Sequence, residues 1–316
     1  MTHLLIYMPA FNEEDNILSV LDNLPRKVNG FDRVDFLVID DGSTDKTAIL
    51  AKNTGANVIS HPENLGVGGA FHSAVRFSLD NSVDVLVGID ADRQFSPDDI
   101  PLMVQPILNN QADMVIGNRF SQGKPKNMDS IKYHGNVIVS NIISIICNQQ
   151  FMDVSCGYRA YNREALLRFN LFGTFTYTHE TILSLIFHGK RVVQKPVTIY
   201  YHNGRKSRVA NSIVKYALET SRIILQTILD YKPVMFFGTI GSLFFVPGII
   251  LGSSMLIHFI LVSSFSPYKF LGFLSLAFLF IGVLMYLTAL LTNIFKRLRI
   301  SQEELLYQTK IIRYGK

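Results

Sequence analysis

The stretch VDVLVGIDADRQFSP, Val83 to Pro97, decides the fold. Val83, Val85, Leu86, Val87 and Ile89 form an apolar run of the kind carried by a strand buried on both faces, and the run stops where Asp90, Asp92 and Gln94 begin. Carboxylates so placed stand at the carboxyl end of a strand, where open α/β sheets bind their ligands. Two aspartates at i and i+2, with Ala91 between them, can both reach a hard divalent cation and still leave coordination positions for phosphate oxygens or water. The same residues also fit a polar turn capping the helix that Ser96, Pro97, Asp98 and Asp99 start. The rest of the chain decides between these readings.

Upstream, the pattern of strand, polar loop and helix repeats. Leu4 to Met8 is a short apolar strand ending in PAFNE at 9 to 13, after which Ile17, Leu18, Leu21 and Leu24 recur at helical spacing. Val34 to Ile39 is a second strand, and it ends in DDGSTD at 40 to 45 before a helix carrying Ala48, Ile49 and Ala51. Asn57 to Ser60 is a third, followed by the glycine-rich NLGVGGA at 64 to 70 and a helix through Phe77. Those glycines lack the spacing of a dinucleotide fingerprint, and a plain helix start explains them as well as close approach to a ligand does. Met114 to Gly117, ending at Asn118, Arg119 and Phe120, is the fifth strand. Strands alternating with helices imply a mostly parallel sheet with right-handed crossovers and polar residues gathered on one rim.

Beyond Arg119 the sheet pattern weakens. Ile131 to Gln149 and Ser212 to Leu229 read as amphipathic helices, the second more strongly suited to a membrane interface than the first. Thr178, His179 and Glu180 open another helix. The hydrophobic content of 48% is concentrated at the C-terminal end, where no Lys, Arg, Asp or Glu occurs from Pro233 to Tyr268 or from Phe270 to Phe295. Two transmembrane helices joined by a turn near Ser263 to Lys269 are expected, since about 20 apolar residues span a bilayer.

The net charge of +5 lies entirely from Pro233 onward, where seven basic residues face only Glu303 and Glu304. The cluster of Lys296, Arg297 and Arg299 after the second span is expected on the cytoplasmic side, and two spans then put the N-terminal part there too. A basic excess beside a membrane span, with a balanced globular part, argues against nucleic-acid binding. His3 to Met8 already reads as a strand, so no secretory signal is expected. Cys147 and Cys156 stand in no metal spacing and fit a reducing compartment.

Taken in order, PAFNE, DDGSTD, NLGVGGA, DADRQ at 90 to 94, GNRF at 117 to 120 and DVSCGYRAYNR at 153 to 163 resemble the family 2 glycosyltransferases. More narrowly, they are similar to the polyprenyl-phosphate enzymes of the dolichol-phosphate-mannose-synthase type, over residues 4 to 208. The two spans match the bacterial branch that acts on undecaprenyl phosphate. The resemblance implies an α/β fold with a GT-A-like, mostly parallel sheet wound by helices, followed by interfacial amphipathic helices and a two-helix transmembrane hairpin. The expected layout is a catalytic domain over 1–210, a juxtamembrane helix over 211–232, spans at about 234–262 and 270–295 within 233–295, and a basic tail over 296–316.

By the same resemblance, Pro9, Ala10, Asn12, Glu13, Asp41, Asp90 and Ala91 would hold the nucleotide sugar, UDP- or GDP-linked. Asp90, Asp92 and Gln94 would hold Mg2+ or Mn2+. Arg119, Arg159 and Arg205 would bind phosphates, including that of the lipid acceptor, and Asp153 matches a position sometimes proposed as the base. Asp153, Asp92 and Arg159 are then the catalytic candidates. Many relatives have Gly or Leu where Arg93 stands, and His or Asp where Phe95 stands, so the donor cannot be carried over from that loop. The processive polymer synthases carry a Q-x-x-R-W motif, and a chain without tryptophan fits a single transfer.

The implied partners are a nucleotide-sugar donor, a polyprenyl phosphate (undecaprenyl or dolichyl) and a membrane, the plasma membrane of a prokaryote. A homo-oligomeric state stays open. A phosphate acceptor is already largely ionised at neutral pH, so positioning and charge neutralisation carry the rate. Transfer to a hydroxyl lipid, diacylglycerol or ceramide, is the alternative, and it would make Asp153 indispensable as a base. A silent scaffold is disfavoured by the intact Asp90, Asp92, Gln94 and arginines.

Overall fold

The computed structural model describes residues 2–169, 177–201, 221–222, 225, 228–229 and 232–315. Arg205 and most of the helix expected at Ser212 to Leu229 lie outside them. The chain divides into two compact units, Met1–Thr220 with Leu306–Lys316, and Ser221–Leu305.

The first unit is built on a seven-stranded sheet in the order β3-β2-β1-β4-β6-β5-β7. Its strands are β1 (His3–Ala10), β2 (Arg33–Asp40), β3 (Asn57–Ser60), β4 (Val85–Gly88), β5 (Met114–Asn118), β6 (Arg159–Asn162) and β7 (Val192–Pro196). All neighbours pair in parallel except β6, which runs antiparallel to both β4 and β5. The expected α/β class and the first five strands are present. β4 is shorter than the apolar run, because Val83 bonds back to the Ser78 carbonyl and Ile89 leaves the strand after bonding the Tyr7 carbonyl.

Among the described residues, helices α1 (Ile17–Asp22), α2 (Thr47–Asn53), α3 (Gly66–Asp80), α4 (Ile100–Leu108), α5 (Ser130–Cys147), α6 (Arg163–Arg168) and α7 (Thr178–Phe187) also belong to this unit. Ser96 caps a 3-10 turn at Pro97–Asp99 by accepting from the Asp98 amide, and α4 follows directly, so the helix start expected there is real. The core lies where β1, β2 and β4 bury Leu4 to Met8, Leu37 to Ile39 and Leu86 to Val87 under α3 and α4.

One pair in the middle of the sheet is unusually large beside small. Tyr7 pairs with Gly88 across β1 and β4, and a Cβ at Gly88 would lie 2.5 Å from Tyr7 Cε1. The Tyr7 ring therefore takes the space that a side chain at 88 would need. Its hydroxyl donates to that of Tyr177 at 3.2 Å, and Tyr177 stacks on Phe71 with ring centroids 4.1 Å apart.

The second unit holds α8 (Pro233–Val262) and most of α9 (Lys269–Tyr314), each with an apolar window long enough to cross a membrane by length and composition. Few residues of either apolar window are buried within the chain, which is not how core helices of a soluble protein sit. The two pack closely through small residues. Ser275 Oγ donates to the Gly248 carbonyl at 2.7 Å, and a Cβ at Gly282 would meet Phe245 Cβ at 2.8 Å. Helix α9 does not end with the apolar span but continues through the basic cluster. Its last residues return to the first unit, where Tyr307 donates to Glu164 Oε1 at 2.7 Å and Lys310 to the Phe169 carbonyl at 2.6 Å.

Candidate active site

The carboxyl ends of β1, β2 and β4 form the rim that the sequence anticipates. After β1, Asn12 has a left-handed backbone (φ 53°), its amide donates to Ser43 Oγ at 2.9 Å, and its Oδ1 accepts from the Thr44 amide at 2.9 Å. Glu13 is buried, and its amide donates to Thr47 Oγ1 at 2.8 Å. The loop after β1 is thus locked to the turn after β2, with Pro9 half-buried and Ala10 buried beneath it.

Asp41 is buried and bound within the chain. Its Oδ1 meets His61 Nδ1 at 2.7 Å and accepts from the Leu65 amide at 2.9 Å, while Oδ2 accepts from the Gly66 amide at 2.8 Å. The other ring nitrogen of His61 lies 2.8 Å from Ser73 Oγ. Asp41 therefore fixes the start of the glycine-rich loop, and Gly42 (φ 76°) allows the approach, since a Cβ there would lie 2.7 Å from the Glu63 carbonyl carbon. Neither His61 nor Ser73 was marked by the sequence, because nothing in spacing ties them to a carboxylate twenty residues or more away. Asp40, next to Asp41, accepts from the Ser43 amide at 3.1 Å and is also buried.

Asp90 and Asp92 follow β4, both half-buried, with buried Ala91 between them. Asp92 Oδ1 accepts from the Gln94 amide at 3.1 Å. Gly157 faces Asp90, and a Cβ there would lie in ordinary contact, 3.5 Å from each carboxylate oxygen. Two hard carboxylates and an amide oxygen on one turn suit Mg2+ or Mn2+. Among the described residues no group of three or more His, Cys, Asp and Glu side chains gathers for a metal. An ion held by these two carboxylates and one amide oxygen, with its preference for six ligands, would keep positions for a ligand's phosphate oxygens.

Asp153 and Arg119 form the second charged feature. Asp153 is fully buried, and Arg119 grips it with Nε to Oδ2 at 2.6 Å and Nη2 to Oδ1 at 2.9 Å. Nη2 also donates to Ser155 Oγ at 2.7 Å, and Nη1 reaches the Tyr201 hydroxyl at 3.5 Å. Burial raises the Asp153 carboxyl, but the Arg119 charge and hydrogen bonds outweigh it and hold the group below its ordinary value. Asp153 is therefore an ionised anchor for Arg119 at neutral pH and a weak base.

Arg159 corrects an expectation. It is fully buried, with Nε donating to the Cys156 carbonyl, Nη1 to the Thr178 carbonyl and Thr181 Oγ1, and Nη2 to the Val154 carbonyl, all at 2.7 or 2.8 Å. A guanidinium so engaged has no face for an acceptor phosphate or for reacting atoms. It ties the loop carrying Asp153 to the start of α7 instead, a role its burial within the fold dictates and its motif does not reveal.

His179, on the first turn of α7, is buried with no hydrogen-bond partner for either ring nitrogen among the described residues. Burial, with the Arg159 charge second, pushes its pKa down from 6.5 to about 4. The unfolded chain takes up that proton first, so stability is present above about pH 6.5 and is lost as pH falls toward 4. The slope is about 1.4 kcal/mol per pH unit between the two values. Thermal melts of wild type and His179→Leu across this range should diverge, with the variant flatter; equal slopes would overturn the assignment.

The sequence pattern of the family described as Glycosyl transferase family 2 matches residues 5–169. The UDP-N-acetylglucosamine–dolichyl-phosphate N-acetylglucosaminyltransferase of Methanococcus voltae is 33% identical over 52% of this chain and 72% of its own length. The undecaprenyl-phosphate mannosyltransferase of Micrococcus luteus is 27% identical over 68% of this chain and 90% of its own. In fold, the chain resembles glucosyl-3-phosphoglycerate synthase from Mycobacterium tuberculosis, solved with Mn2+ and UDP, with a TM-score of 0.54 and 22% identity over 72% of this chain and 79% of that one.

Proposed function

Since the chain belongs to glycosyl transferase family 2, we propose that it moves one sugar from a nucleotide diphosphate to a polyprenyl phosphate, with inversion, at the cytoplasmic face of a prokaryotic membrane. It is a glycosyltransferase, and relatives named for dolichyl and undecaprenyl phosphate support the acceptor class. The observation that carries the reading is the position of Asp90 and Asp92 at the carboxyl end of the central strand β4, flanked by the locked loops after β1 and β2. Asn12, Glu13, Pro9 and Ala10 would form the nucleotide's cradle, with Asp41 holding its wall through the glycine-rich loop.

A divalent cation on Asp90, Asp92 and Gln94 would neutralise charge growing on the departing diphosphate. Arg119 would present its remaining donor capacity to phosphate, with Asp153 keeping the guanidinium in a fixed orientation. The low basicity of Asp153 favours an acceptor that needs no deprotonation, a phosphate, over the hydroxyl of diacylglycerol or ceramide. Helices α8 and α9 would be the two spans, with Lys296, Arg297 and Arg299 on the cytoplasmic side.

Inverted membrane vesicles given radiolabelled nucleotide sugars and undecaprenyl phosphate should form a labelled lipid, and sealed right-side-out vesicles should not. Label entering diacylglycerol or ceramide instead would overturn the acceptor, and equal labelling in both orientations would overturn the topology.

A further inference from the structure

Arg93 stands between Asp92 and Gln94 at the apex of the turn after β4, and its backbone is left-handed with φ at 64°. Glycine adopts that conformation freely, whereas a residue with a Cβ is strained in it. The turn is held from several sides. Asp92 Oδ1 accepts from the Gln94 amide, the Tyr200 amide donates to the Gln94 carbonyl at 2.8 Å, and Phe95 is buried against Tyr158 with ring centroids 5.2 Å apart. A strained residue in a pinned turn at a site rim is the arrangement in which strain serves function.

The Arg93 side chain is exposed, and among the described residues no hydrogen bond, ion pair or ring contact engages its guanidinium. Nothing within the described chain therefore compensates the strained backbone through this side chain. The stretch Ile199 to Tyr201 tells which part of the site it serves. Ile199 bridges to Phe95 and the Tyr200 amide holds the Gln94 carbonyl, while the next hydroxyl along, that of Tyr201, lies 3.5 Å from Arg119 Nη1. One short extended segment thus joins the Arg93 turn to the Arg119–Asp153 pair. The exposed Arg93 thus stands on a turn tied to the segment that Arg119 also reaches.

We propose that Arg93 binds the phosphate of the lipid acceptor together with Arg119, in the role the buried Arg159 cannot fill. The proposal rests on the polyprenyl-phosphate reading of this site. A phosphate monoester carries between one and two negative charges at neutral pH and has oxygens for two forked donors, so a pair of arginines matches it in charge and in donors.

The test is equilibrium binding of radiolabelled undecaprenyl phosphate to the purified full-length protein in detergent, beside binding of UDP and GDP with Mn2+. Arg93→Gln should weaken undecaprenyl phosphate about tenfold, Arg93→Lys should weaken it less, and nucleotide affinity should not change. Arg93→Gly should share the lipid defect with a melting temperature no lower than wild type, because glycine relieves the backbone. Undiminished lipid binding in a folded Arg93→Gln protein would overturn the assignment, as would a defect confined to the nucleotide. A wild type that binds undecaprenol as tightly as undecaprenyl phosphate would instead sink the phosphate-acceptor reading, and the role of Arg93 with it.

Discussion

Asparagine in place of Asp92 is expected to lower the transfer rate by about a thousandfold or more while the protein stays folded. The side chain is half-buried on the rim, and its bond from the Gln94 amide can be kept by the asparagine Oδ1. What disappears is one negative charge beside the proposed cation, a loss of roughly 4 kcal/mol of transition-state stabilisation at tenfold per 1.4 kcal/mol. Initial rates with Mg2+ or Mn2+ measure it, and excess chelator should do the same to the wild type. Full activity in the variant, or indifference to chelator, would remove the metal from Asp90 and Asp92.

Arg159→Ala should fail in a different way, by losing the fold. Three buried carbonyls and the Thr181 hydroxyl lose their charged donor, and the loop bearing Asp153 comes away from α7. The Thr181 hydroxyl keeps its bonds to the Tyr177 and Thr178 carbonyls, and at about 1–3 kcal/mol for each of the three buried carbonyls left unsatisfied the loss is roughly 3–9 kcal/mol, much of a domain's stability. Arg159→Lys should be nearly as damaging, since an ammonium cannot reproduce the fork. Thermal melting in detergent decides the matter: a variant that melts like wild type yet no longer binds undecaprenyl phosphate would return Arg159 to the phosphate site.

These two residues mark where the sequence was legible and where it was not. Asp90 and Asp92 could be placed because a strand buried on both faces announces itself as an apolar run, and the point where the run stops is the rim. The first five strands follow from the same signal. β6 is hidden, because RAYN is short and carries two polar residues, and it becomes a strand only through partners on both sides. Its antiparallel course is a tertiary fact that no local pattern encodes.

Arg159 shows the related limit on function. An arginine in a glycosyltransferase motif reads as a phosphate ligand, yet burial alone separates a structural guanidinium from a binding one, and burial is set by residues far away in sequence. The end of α9 illustrates a third case. Hydropathy locates the end of the apolar span at Phe295, but charges do not break a helix, and from Asn293 to Tyr314 there is neither proline nor glycine to do so.

The fit of the Tyr7 ring over Gly88 bears on how this sequence can change over generations. A methyl group added at 88 collides with the ring, and a smaller residue at 7 leaves a hole next to the strand that ends in Asp90. Neither position can drift alone without disturbing the rim, but they can exchange volume together. Descendants of this chain that carry a side chain at 88 should therefore carry a residue smaller than tyrosine at 7, the two positions changing as a pair.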